Sequence, residues 1–154
     1  MRRDDARLCH TDFVSSSRRY PERPILGVGA IIEDRGRMLL VERGTEPLKG
    51  VWSLPGGAVE TGERLKDAIR REVREETGLE VEPVSIAEIF ERIMPYAAGR
   101  AEYHYVLIDY LCNVTGGELR AASDASRAVW VPREELASYD LTEGTLAVIE
   151  KALA

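Results

Sequence analysis

Cysteine, histidine and phenylalanine occur only twice each in the 154 residues. Cys9 and Cys112 belong to no Cys-x-x-Cys pair and no histidine-rich cluster, which excludes a disulfide scaffold and a thiolate zinc site and leads us to expect reduced thiols in a cytoplasmic protein. Long apolar runs are also missing. The stretches Ile25 to Ile32 and Val106 to Ile108 fall far short of the roughly 20 residues that a membrane helix needs. No apolar core follows the basic start MRRDDARLCH, so a signal peptide is not expected. Basic residues are in deficit, 21 against 27 acidic ones, and the net charge of -6 argues against a DNA or RNA polymer as partner.

What remains is ordinary in amount and specific in order. The length suits a single domain with one substantial core. Residues 1–24 are polar, contain SSSRR and two prolines, and show no sustained period, so they are expected to form a flexible extension ahead of a domain spanning 25–154. From Leu26 two β-branched-rich runs flank Glu33-Asp34-Arg35-Gly36, the pattern of a hairpin. A Gly- and Pro-rich stretch follows, with a sharp loop at SLPGG and a short strand or turn at Ala58 to Glu60.

The period then changes. Leu65, Ala68, Ile69 and Val73 mark one face of a helix, with Thr61 as its expected N-cap and Gly78 as its C-cap residue. Two longer strands are expected over Leu79 to Met94, interrupted at Pro83, and Ala101 to Asn113, and another at Arg127 to Val131. Pro132 is expected to start a helix, and a final helix carries Leu146, Ile149 and Leu153 on one side, capped by Thr142 or Asp140. This order describes an α+β protein with a mixed sheet and helices packed on it.

Chemistry concentrates in the first helix. At about 100° per residue, Glu72, Glu75 and Glu76 share a sector of about 100° that overlaps the apolar stripe. Carboxylates so placed repel one another and are costly to bury unless paired, protonated or bound to a cation. Arg71 and Arg74 could supply that charge, and Mg²⁺ or Mn²⁺ could equally, since hard oxygen ligands suit them. Gly56 and Gly57 allow backbone to approach a phosphate or metal closely.

Gly57, Glu63 and the run Arg71-Glu72-Val73-Arg74-Glu75-Glu76-Thr77-Gly78-Leu79 fill every fixed position of G-x5-E-x7-R-E-U-x-E-E-x-G-U, where U is aliphatic. The chain thereby resembles the Nudix hydrolases, and from about Ile25 onward its element order is similar to the Nudix fold, a mixed β-sheet sandwiched between α-helices. The resemblance implies Mg²⁺-dependent cleavage of a nucleoside diphosphate linked to another moiety, with Mn²⁺ as substitute. Glu72, Glu75 and Glu76 would be metal ligands together with the carbonyl of Gly57 or Gly56. Glu63 would support the site, and Arg71 would hold the glutamates in place. The general base would be Glu76 or a later carboxylate, with Asp124 the candidate and Glu118 and Glu102 the alternatives. PLKGVWSLPGGAVE, YHYVLIDYL and LTEGT are similar to an ADP-ribose pyrophosphatase-like bacterial subgroup. A (d)NTP pyrophosphohydrolase and a non-catalytic nucleotide-binding domain are the competing readings. A homodimer is compatible with the sequence.

Overall fold

The computed structural model describes residues 18–95, 97–120 and 125–154. Strands β1 (Ile25–Asp34) and β2 (Arg37–Arg43) form the expected hairpin. Its two-residue turn, Arg35-Gly36, has φ of 54° and 77°, the left-handed pair that matches the twist of antiparallel strands, and the Gly36 N–H donates to Glu33 Oε1 at 2.8 Å.

β1 is the middle of the molecule. It runs parallel to β6 (Ala101–Gly117), in register from Ile25 with Tyr105 to Ile32 with Cys112, and antiparallel to the short β4 (Gly56–Ala58). β5 (Leu79–Pro95) pairs antiparallel with β6 on the far side, giving the order β4-β1-β6-β5. β2 carries β3 (Trp52–Ser53) and β7 (Ala125–Pro132), both antiparallel.

Strand alternation distributes side chains between two cores. Val28, Ala30 and Ile32 of β1 face helix α1 (Leu65–Thr77), where Ala68, Ile69 and Val73 meet Val81, Tyr110 and Cys112. Ile31 faces the other way, into a core with Met38, Leu40, Trp52, Val131, Leu136 of the 3₁₀ turn Arg133–Ser138, and Val148 and Ile149 of helix α2 (Thr145–Ala152). Both faces are covered, which is why this strand reads as a continuous apolar run rather than an alternating one. Each such large side chain stabilises the fold by about 1.5–3 kcal/mol. The arrangement is the mixed sheet between helices expected from the element order.

Several local expectations are corrected. Thr61 does not cap α1: Arg64 occupies the N-cap without a side-chain bond. The turn upstream closes on itself instead, through Glu63 N–H to Glu60 O at 3.0 Å and Glu60 N–H to Glu63 Oε1 at 3.1 Å, with Gly62 at φ 85°. Gly78 does end the helix, at φ 76°. β5 is not interrupted at Pro83, because the strand lies at the sheet edge and a register shift between Pro83 and Ser85 absorbs the missing N–H. The segment after Pro132 is 3₁₀ rather than α. At α2 the N-cap is Gly144, φ 83°, and neither Thr142 nor Asp140; the Thr142 hydroxyl bonds that of Thr145 at 2.5 Å. Of the extension, Arg19 and Tyr20 are tied to Glu102, by an Nε to Oε1 bond of 3.0 Å and a Tyr20 N–H to carbonyl bond of 2.7 Å.

Candidate active site

α1 displays its carboxylates around one cation. Arg71 Nε and Nη2 donate to the two oxygens of Glu63 at 2.7 and 2.9 Å, a bidentate pair, while Nη1 donates to Glu72 Oε1 at 2.7 Å and to Glu75 Oε2 at 3.4 Å. Nη2 also donates to the Ala58 carbonyl at 3.1 Å, joining the cluster to β4. The guanidinium holds the Glu63 carboxyl below the usual carboxylate range. Glu72 moves the other way: burial pushes its pKa up, and this outweighs the bond from Arg71.

β4 supplies the wall that these carboxylates lean on. A Cβ on Gly57 would stand 2.5 Å from the Glu72 carboxyl carbon, so the space a side chain would fill is occupied by the carboxylate itself. Gly57→Ala is therefore expected to displace Glu72 and, if this carboxylate serves the reaction, to lower activity by about 10- to 100-fold with little change in melting temperature. Kinetics beside a thermal melt check this. Glu76 is 8% exposed and accepts the Gly56 N–H at 3.2 Å. The structure thus brings Glu63, Glu72 and Glu75 onto Arg71 and places Glu76 against the neighbouring glycine. As these side chains stand, no three acidic, histidine or cysteine groups among the described residues converge as a metal cage. The donor set is nonetheless one a hard divalent ion suits: carboxylate oxygens, one of them half-buried so that its charge calls for a neighbouring cation, packed against a glycine.

The remaining sequence candidates fall elsewhere. Glu102 is engaged by Arg19, Glu118 is exposed beside Gly78 at the C-terminal end of α1, and Asp124, Tyr96 and Cys9 lie outside the described residues. His104 pairs with Ile93 across β5 and β6, and Trp52 is core, edge-on to Tyr139.

A cleft opens on the other face of the sheet, lined by Gly56, Gly57 and Ala58 at one end and by Arg43, Leu54, Phe90, Arg92, Tyr105 and Asp109 beyond. β4 is common to the cleft and to the carboxylate cluster. Arg18 stands at their junction, where its charge reaches both Glu72 and Tyr105. Arg43, Arg92 and Asp109 were not candidates from the sequence. The one signal for them was glycine inside a strand, at Gly27 and Gly29, which marks a close approach by a neighbour. A Cβ on Gly29 would overlap Oδ1 of Asp109.

Asp109 is 6% exposed, and burial raises its pKa from 3.8 to about 6, with Arg92 opposing and Glu88 adding to the rise. Its folded pKa lies above its unfolded one, so the associated stability is whole below about pH 4 and is lost as the pH rises through 6. Asp109→Asn, which does not titrate, is expected to gain about 2–3 kcal/mol on wild type between pH 4 and 7.5, read by urea unfolding at both.

The NUDIX domain model matches residues 23–152. An ADP-ribose pyrophosphatase of Methanocaldococcus jannaschii is 39% identical over 105 residues, covering 68% of this chain and 60% of that protein. A protein named nucleoside triphosphatase NudI, of Escherichia coli, is 35% identical over 125 residues, 75% of this chain and 86% of that one. The crystal structure of a MutT NUDIX hydrolase from Burkholderia pseudomallei superposes with a TM-score of 0.74 at 32% identity, over 84% of this chain and 98% of the other. The chain therefore belongs to the Nudix family, hydrolases that cleave pyrophosphate bonds in small nucleotides with divalent metal ions.

Proposed function

We propose that this chain is a Mg²⁺-dependent pyrophosphohydrolase of a nucleoside diphosphate linked to a second moiety, with ADP-ribose as the type of substrate. The observation that carries the reading is the carboxylate cluster gathered by Arg71 behind the glycine strand that also borders the cleft. Phosphates lying along Gly56–Ala58 would meet the acidic face, while the rest of the nucleotide extends over the opposite one.

In this reading Glu72, Glu75 and Glu76, with the Gly57 carbonyl, hold the divalent cation. When bound, it neutralises phosphoryl oxygens and lowers the pKa of water. Arg71 and Glu63 keep the ligating glutamates in position through the bonds they share. Glu76 accepts the proton of the attacking water, whose oxygen bonds to phosphorus while the bridging P–O bond breaks. The products are a nucleoside monophosphate and a phosphorylated second moiety. Arg18 steadies the substrate's negative charge at the mouth of the cleft. Asp124 is a second candidate for the proton-accepting role, and the two isolated cysteines support a cytoplasmic enzyme.

The E. coli relative named as a nucleoside triphosphatase, whose matched length is the greater, supports a second reading, hydrolysis of (d)NTPs to monophosphate and pyrophosphate. One assay separates them. ADP-ribose, NADH, sugar nucleotides and (d)NTPs are offered with Mg²⁺ and then Mn²⁺, and the products are resolved by chromatography. AMP with ribose 5-phosphate supports the first reading, pyrophosphate release the second, and no turnover above the Glu76→Gln variant overturns both.

A further inference from the structure

Two charged groups of the cleft carry hydrogen-bonding capacity that no described residue fills. The Asp109 carboxylate, 6% exposed on β6, makes no hydrogen bond or ion pair among the described residues. Arg92, on β5, has its Nε buried with no hydrogen-bond partner there, although its Nη2 donates to the Glu143 carbonyl at 2.9 Å and its guanidinium lies over the Phe90 ring at 5.6 Å. The register sets the two four positions apart along the strands, Asp109 opposite Glu88 and Arg92 opposite Tyr105, so they do not satisfy each other, and leaving a buried polar group unsatisfied is costly. Both are held in place all the same. Asp109 is seated on Gly29, where no other residue would leave room, and Arg92 is fixed by Glu143 and Phe90.

The surroundings restrict what could satisfy them. Phe90 and Leu107 are paired across β5 and β6 between the two charges, with Leu54 and Met94 also lining the cleft, so its middle is apolar. A phosphate is unsuited beside Asp109, whose carboxylate would repel it. A flat group with apolar faces and a polar edge is suited. Position agrees: Gly56 pairs with Gly29 and Gly29 with Asp109, so Asp109 lies two strands, about 10 Å, from the glycine strand at the carboxylate cluster. That separation leaves room for a ribose between phosphate and base.

We propose that Asp109 and Arg92 form a base-reading pair, the Asp109 carboxylate accepting an N–H of the nucleobase and the outer edge of the Arg92 guanidinium donating to a ring nitrogen or carbonyl oxygen of the same base. The assignment rests on the nucleotide pyrophosphohydrolase reading and makes both residues determinants of specificity rather than catalytic residues. The cost of keeping a carboxylate buried in the free protein is then recovered when the base arrives.

Equilibrium binding tests this without requiring turnover. Calorimetric titrations of the full chain with nucleoside diphosphates of each base, and with ribose 5-diphosphate, which has none, are made on wild type, Asp109→Ala, Asp109→Asn and Arg92→Gln. Asp109→Ala and Arg92→Gln are expected to raise Kd for nucleoside diphosphates by about 10- to 100-fold and to move Kd for ribose 5-diphosphate by less than about twofold. Asp109→Asn preserves volume, so it stands in if the alanine variant does not fold. It is expected to alter the ranking of the bases, because its amide donates as well as accepts. Equal weakening of both ligand classes, or nucleotide binding unchanged in all three variants, overturns the pair. Absence of turnover in wild type together with base-dependent binding would overturn the enzymatic reading and leave the pair standing.

Discussion

The Glu76→Gln variant is expected to lose about 10²- to 10⁴-fold in kcat. Glutamine matches the volume of glutamate and keeps an oxygen to accept the Gly56 N–H, so the packing of a side chain only 8% exposed is preserved. What disappears is the negative charge and the capacity to take a proton. A loss in kcat that excess metal does not restore, with melting temperature equal to or above that of wild type, is the signature of a functional carboxylate, since removing a buried charge does not by itself harm the fold. Steady-state kinetics and a thermal melt on one preparation give both numbers. Full activity in the variant would assign proton transfer to another group, and Asp124→Asn would be the next to measure.

Arg71→Met should act on stability as strongly as Glu76→Gln acts on rate. Its guanidinium, 24% exposed, is shared by Glu63 and Glu72, each 15% exposed, and reaches Glu75. Methionine retains much of the stem and abolishes every one of these bonds, leaving half-buried carboxylates facing one another. Breaking such a group by removing one partner costs about 3–5 kcal/mol, more than an exposed pair could contribute. Part of the loss should return in Arg71→Met/Glu63→Gln, where one of the stranded charges is gone. A double-mutant cycle by urea unfolding reads that recovery. A single-variant cost below about 1 kcal/mol would reduce the cluster to an ordinary surface network.

The difference between what could and could not be read from the sequence follows the range of the contacts. Glu72, Glu75 and Glu76 were visible because one helix of fixed period holds them, and Arg71 lies on the same helix. The bidentate bond to Glu63 spans eight residues and was expected only as support. Asp109 and Arg92 share a cleft because β5 and β6 pair through a register with several shifts, which no local pattern encodes. Thr61 looked like a cap because its residue type is right; the turn between Glu60 and Glu63 had already been closed by backbone and carboxylate bonds. Pro83 looked like a break because edge position is a property of the assembled sheet.

β1 is a partition wall shared by two rooms. Its odd and even positions belong to different cores, so a slip of one residue against β6 would exchange Ala30 for Ile31 across the sheet and spoil both cores at once. That leaves the strand almost no freedom to drift in sequence: even its glycines at 27 and 29 are held, by Leu107 and Asp109 on the next strand. Variation in what the protein accepts must therefore accumulate at the rims of the cleft, in loops such as the one around Pro47 and Leu48 and the approach to α2 at Glu143. A fold of this kind can diversify its diet while its dividing wall stays put.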